Sequence, residues 1–98
     1  MLEAPLTQIL IDGMKIEYHA SGSGKDVLLL HGWGVDSATM EPMRQHLEAS
    51  CHAVSVDLPG FGESEAPPFA WTVYDYADFV ERFIAALGLT DQIGRAHV

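Results

Sequence analysis

Four aliphatic residues in a row, Val27-Leu28-Leu29-Leu30, run directly into His31-Gly32-Trp33-Gly34. A continuous apolar run closed by two glycines reads as a buried strand that turns sharply at its carboxyl end. Buried strands of this kind belong to sheets covered by helices, which points to the α/β class. In open α/β sheets, ligands and chemistry gather beyond the carboxyl ends of strands. Here such an end carries a histidine, an indole and two bare backbone positions.

The flanking segments agree with that class. Residues 6–11 and 14–19 are two strand-like runs separated by Asp12-Gly13, a strong signal for a tight hairpin. Residues 21–26, Ser-Gly-Ser-Gly-Lys-Asp, look superficially like a phosphate-binding loop. The pattern fails, because its first glycine would fall at His19 and Asp26 stands where Ser or Thr is required. The segment also precedes a strand instead of following one, so it reads as a plain linker.

Beyond the glycine turn, Asp36 and Ser37 offer N-cap oxygens for a helix running to about Ala49. Met40, Met43 and Leu47 fall on one face at helical spacing and read as packing. Pro42 is tolerable in the first turn, where its missing N–H costs little. A strand over Cys51–Val56 comes next and Asp57 closes it. Leu58-Pro59-Gly60-Phe61-Gly62-Glu63-Ser64 is rich in turn residues, and Pro67-Pro68 extends the loop. Thr72 and Asp75 then form a variant of the capping box. Tyr76, Phe79, Val80, Phe83 and Leu87 make one apolar helical face, which Gly88 terminates. Two buried strands joined by a helix imply a parallel, right-handed crossover.

Composition narrows the function classes. The chain has 98 residues with 48% hydrophobic content, enough for one unit with a modest core. Its formal charge of -9, with only five scattered Lys and Arg, argues against nucleic acid and anionic membrane surfaces. A lone cysteine, Cys51, excludes an internal disulfide framework and reads as a small buried or half-buried thiol. A zinc site from His46, Cys51 and His52 lacks a second ligand pair, and His19 and His97 have no metal-ligand spacing. The first thirteen residues hold no Lys or Arg, so a secretory signal is not expected. No apolar stretch approaches spanning length, and a cytoplasmic location is expected.

His31-Gly32-Trp33-Gly34 after one strand, and Asp57 to Ser64 after the next, resemble the amino-terminal part of the α/β-hydrolase family. The spacing of one helix and one strand between them fits, and the likeness covers residues 6–89. By that resemblance the fold is a truncated α/β-hydrolase fold: a hairpin, then a parallel strand-helix-strand-helix unit. It implies that the backbone N–H of Trp33 lines an oxyanion hole, where charge grows on a carbonyl oxygen during acyl transfer. Gly32 lets the backbone approach substrate and Gly34 relaxes the turn. The Trp33 indole lines the acyl or leaving-group pocket, and His31 braces the loop beside the substrate and is not the catalytic base. Asp57, Gly60, Gly62 and Ser64 belong to a scaffold loop under the active site and not to a triad. Ser64 has no sequence-adjacent base, and a serine without one is a weak nucleophile.

The family's nucleophile elbow, Gly-x-Ser-x-Gly, occurs nowhere in this sequence. The expectation is therefore a fragment without its triad, inactive alone, from a serine hydrolase of small carboxylic esters or related acyl substrates. Relatives with an Asp nucleophile, the dehalogenases and epoxide hydrolases, stay open, and no metal or organic cofactor is implied. Residues 93–98 can be encoded by ATC GGA AGA GCA CAC GTC, which resembles the start of a common sequencing adapter. Residues 1–91 then read as the start of one domain and 92–98 as a non-native tail. The outer edge of the Val27–Leu30 strand would be left open, which predicts poor solubility or partial folding.

Two other readings compete. Gly32-x-Gly34-x-x-Ser37 follows a strand and opens a helix, with Asp57 about twenty residues on, as in an NAD(P)-binding Rossmann unit. Against it stand Ser37 for the third glycine, the bulk of Trp33, and a hairpin and Pro59-Gly60-Phe61-Gly62 with no role in that fold. The second is a non-catalytic member of the same hydrolase fold that binds a small ligand or partner.

Overall fold

The computed structural model describes residues 7–31, 37–89 and 94–97. The hairpin pairs β1 (Thr7–Ile11) with β2 (Met14–Ser21) in antiparallel register, Ile11 opposite Met14 and Thr7 opposite Tyr18. Asp12 and Gly13 both take positive φ, 51° and 80°, as the tight turn matching strand twist requires. β3 (Lys25–Leu30) and β4 (Cys51–Val56) run parallel, from Lys25 opposite Cys51 to Leu30 opposite Val56. The antiparallel ribbon joins them through β2 and β4, with Tyr18 opposite Val56.

The segment read as a linker is shorter than expected. Ser21 closes β2, and Lys25 with Asp26 opens β3. Asp26 gains a partner there, its Oδ1 lying 2.8 Å from Nδ1 of His52 on the neighbouring strand. The bend between is forced by close approach, since a Cβ at Gly22 would run into the carbonyls of Glu48 and Cys51.

The first helix departs most from expectation. Ser37–Met40 forms a 3₁₀ turn, and α1 proper spans Glu41–Leu47 with Met40 as an N-cap lacking any side-chain hydrogen bond. Asp36, the other expected cap, lies outside the described residues. Met40 is buried, but Met43 is 40% exposed, and the side chain on the inner face is Arg44, at 1%. Arg44 bridges Glu41 at 2.7 Å and Glu48 at 3.3 Å and also bonds the Ser21 hydroxyl. A buried guanidinium is tolerable when its donors are filled in this way. It clamps α1 to the end of β2.

α2 (Val73–Leu87) follows the sequence closely. Thr72 and Asp75 form a reciprocal capping box, and Gly88 ends the helix in the left-handed region at φ 68°. Phe79 and Phe83 are buried against the sheet face carrying Ile16, Leu28, Val54 and Val56, and Tyr18 meets Phe83 edge-on at 5.7 Å.

A fifth strand, β5 (Gly94–His97), runs parallel to β3, with Val27 opposite Gly94 and Leu30 opposite His97. The sheet order is β1-β2-β4-β3-β5. The expectation of an open β3 edge is thereby corrected: the outward N–H and C=O groups of β3 take backbone partners, as buried strands require. Among the described residues, no helix is long and apolar enough to cross a membrane.

Candidate functional site

The carboxyl ends of β3 and β4 lie side by side in the parallel register, so the residues that follow them meet. His31, directly after β3, is buried, and its Nε2 accepts the Leu58 backbone N–H at 3.0 Å. With Nε2 accepting, the His31 ring hydrogen in this arrangement sits on Nδ1. Its ring also meets Phe61 edge-on, with centroids 5.3 Å apart. With Nε2 engaged by the loop, His31 is not placed to take a proton from a nucleophile.

The loop after β4 is laced from several sides. The Asp57 N–H continues the ladder onto the Glu17 carbonyl at 3.0 Å. The Asp57 carboxylate accepts the Glu63 N–H at 3.0 Å, which closes the loop on itself. Ser64 Oγ donates to the Asp57 carbonyl at 2.5 Å and accepts the Glu17 N–H at 2.8 Å. Glu65 donates to the Lys15 carbonyl at 2.8 Å, and its carboxylate accepts the Lys15 N–H at 2.7 Å. Gly60 takes φ 88°, and its N–H meets the Glu65 carbonyl at 3.0 Å. Gly62, at φ 52°, rests on the Asp57 carboxylate so closely that a Cβ would collide with it.

From the helix side, the Tyr76 hydroxyl donates to the Pro59 carbonyl at 2.9 Å. Burial pushes the Tyr76 phenol above its ordinary pKa, because the phenolate would lose its hydration. Phe61 packs between His31 and Tyr76, the latter at a centroid distance of 6.4 Å, and Trp71 meets Tyr76 at 5.0 Å.

The structure thus brings together His31, Asp57, Gly60, Gly62 and Ser64. Gly32, Trp33 and Gly34, the expected substrate-side positions, lie outside the described residues. Sequence reasoning missed Glu17, Phe61 and Tyr76 as members of the assembly. Phe61 stood inside the turn motif and Tyr76 on the apolar helix face, so their packing was visible but their partners were not. Glu17 left only a weak signal, an acid on an alternating strand, where exposure is the ordinary outcome.

Another constellation resembles a catalytic triad by composition. Glu17 and His19 share a face of β2, and His19 stands opposite Ser55 in β4. Ser55 is 0% exposed, however, and neither its Oγ nor His19 Nδ1 has a hydrogen-bond partner. A nucleophile needs both a base within reach and access to substrate. This cluster provides neither. A surface cavity of about 290 Å³ beside Asp12, Trp71 and Arg82 lies by the hairpin turn and contains none of these residues.

With the fold and loop defined, comparison with known proteins is decisive at the family level. The profile of the Alpha/beta hydrolase family matches residues 27–98. The chain belongs to this family. It is 51% identical over 43 residues to the pimeloyl-[acyl-carrier protein] methyl ester esterase of Pseudoalteromonas atlantica, covering 44% of this chain and 17% of the relative. Among solved structures it superposes on a membrane phospholipase A described as a bacterial virulence factor, with TM-score 0.88 and 31% identity. That match covers 96% of this chain and 31% of the phospholipase. The epoxide hydrolase CorEH gives TM-score 0.86 and 29% identity over 95% of this chain and 32% of its own. The chain therefore spans between about a sixth and a third of the proteins it matches.

Asp57 also bears on the dinucleotide alternative. Its carboxylate is turned into its own loop, where a ribose-binding acid would have to face out toward a cofactor. The hydrolase family is where the chain belongs.

Proposed function

We propose that this chain is the amino-terminal part of a serine hydrolase acting on small carboxylic esters or related acyl compounds. The observation that carries the reading is the lock between His31 and the Asp57–Ser64 loop. The His31 ring sits 3.0 Å from the Leu58 amide, which fixes the residue that directly precedes Gly32-Trp33-Gly34 in the chain. Preorganised backbone donors stabilise a developing oxyanion because they need no rearrangement at the moment of reaction. In this reading the Trp33 N–H is one donor, Gly32 and Gly34 admit the substrate's carbonyl, and the indole lines the acyl pocket. The nucleophile, acid and base come from the rest of the full-length protein. Similarity to a methyl ester esterase supports an ester over other acyl substrates.

The likeness to an epoxide hydrolase keeps an aspartate nucleophile in view as the second reading. Incubating the full-length protein with a fluorophosphonate and a short-chain methyl ester separates the two. Serine chemistry predicts labelling of a single serine, with loss of ester hydrolysis. Turnover of an epoxide or haloalkane, with no serine labelled, would replace it with the aspartate mechanism. Neither labelling nor turnover of any of these compounds would make the fold a non-catalytic binder.

A further inference from the structure

The hydrogen bond between His31 and Leu58 is held from behind by α2. Leu58 and Pro59 are consecutive, so the Pro59 carbonyl that receives the Tyr76 hydroxyl belongs to the peptide unit next to the amide that His31 grips. Phe61 closes the same arrangement, with its ring against His31 on one side and Tyr76 on the other. Its N–H returns to the Leu58 carbonyl at 2.9 Å. Tyr76 is in turn backed by Trp71 at 5.0 Å. One phenol therefore determines both the height of the loop and the wall behind the histidine.

We infer that Tyr76 is a positioning residue for His31 at the carboxyl end of β3: through the Pro59 carbonyl and the Phe61 ring it keeps His31 in register with Leu58. This rests on the reading of the residues after His31 as the oxyanion side of an ester hydrolase. Tyr76 touches no reacting atom. It acts by restricting the loop, and a loop displaced by about 1 Å is enough to lower turnover while leaving binding nearly intact.

Tyr76→Phe tests the idea, because it deletes one hydroxyl and keeps the ring. In the full-length protein the Leu58 amide is expected to exchange with deuterium about two- to tenfold faster, the range expected from losing one neutral hydrogen bond. Amides in the middle of β4 should be unchanged. With a short-chain methyl ester, kcat is expected to fall about three- to tenfold at constant KM, and Tyr76→Leu to fall further. Unchanged Leu58 exchange would overturn the inference, whatever the activity. So would a drop in thermal stability with kcat and Leu58 exchange both intact, which is what a merely structural side chain gives. If the unsubstituted full-length protein turns over no ester, the proposed function fails while the exchange result still judges the contact. Phe61→Leu perturbs the same ring contact, so failure of Tyr76→Phe to fold leaves a second variant whose Leu58 exchange must rise.

Discussion

At the scale of single residues, the site is built from groups whose ordinary freedom has been removed. Gly62 is the sharpest case: left-handed backbone and contact with the Asp57 carboxylate coincide there. Left-handed geometry alone costs a non-glycine residue roughly 1–2 kcal/mol. The collision adds to that, so Gly62→Ala is expected to lower the unfolding free energy from denaturant titration by at least that much. Gly13→Ala, which has open space around it, should show the backbone cost alone. Equal losses at both positions would refute the contact argument. Tyr76 supplies a pH signature. Burial raises its pKa above the ordinary 10.0, so the folded state holds the phenolic proton more tightly than the unfolded one. Its stabilisation is complete below pH 10 and is lost as the pH rises through the higher folded value. Alkaline unfolding curves of the parent and Tyr76→Phe should therefore converge above pH 10. A difference that stays constant up to pH 12 would contradict this.

At the scale of elements, legibility in the sequence followed the strength of local rules. α2 carried a capping box, a 3.6-residue apolar period and a terminal glycine, and all three operate as read. Thr72→Ala should cost about 1 kcal/mol and raise amide exchange in the first turn of α2, with no change in β4. α1 departs from its local pattern because tertiary context decides it. Glu41 and Glu48 stand three and four residues from Arg44 at helical spacing, but the third acceptor, the Ser21 hydroxyl at the end of β2, reaches it only in the fold, where Arg44 turns inward and Met43 outward. Arg44→Met, which keeps the length and removes the fork, should leave Glu41, Glu48 and the Ser21 hydroxyl without their shared donor. We expect a lower thermal midpoint and loosened amides around Ser21. The ends of β2 and β3 were missed for a similar reason. Ser21, Lys25 and Asp26 are poor strand formers alone and pair because the opposite residues on β4 are already in place.

At the scale of the whole molecule, the sequence carried the α/β class, the parallel β3–β4 pair and the meeting of two strand-end loops. The hairpin's junction with β4 required the three-dimensional structure, because antiparallel pairing across some 35 residues leaves no local trace. The same holds for the occupation of the β3 edge by β5. Together these elements place His31 and the Asp57–Ser64 loop at one end of the sheet, the end at which the proposed chemistry takes place. In the proposed mechanism the backbone N–H of Trp33, and not its indole alone, stabilises the transition state. The most direct measurement is kcat for Trp33→Pro and Trp33→Ala in the full-length protein with a short-chain methyl ester. Proline removes the donor and should lower kcat by about 10²–10³-fold, whereas alanine keeps it and should act mainly on KM. Equal kcat values for the two variants would contradict the claim.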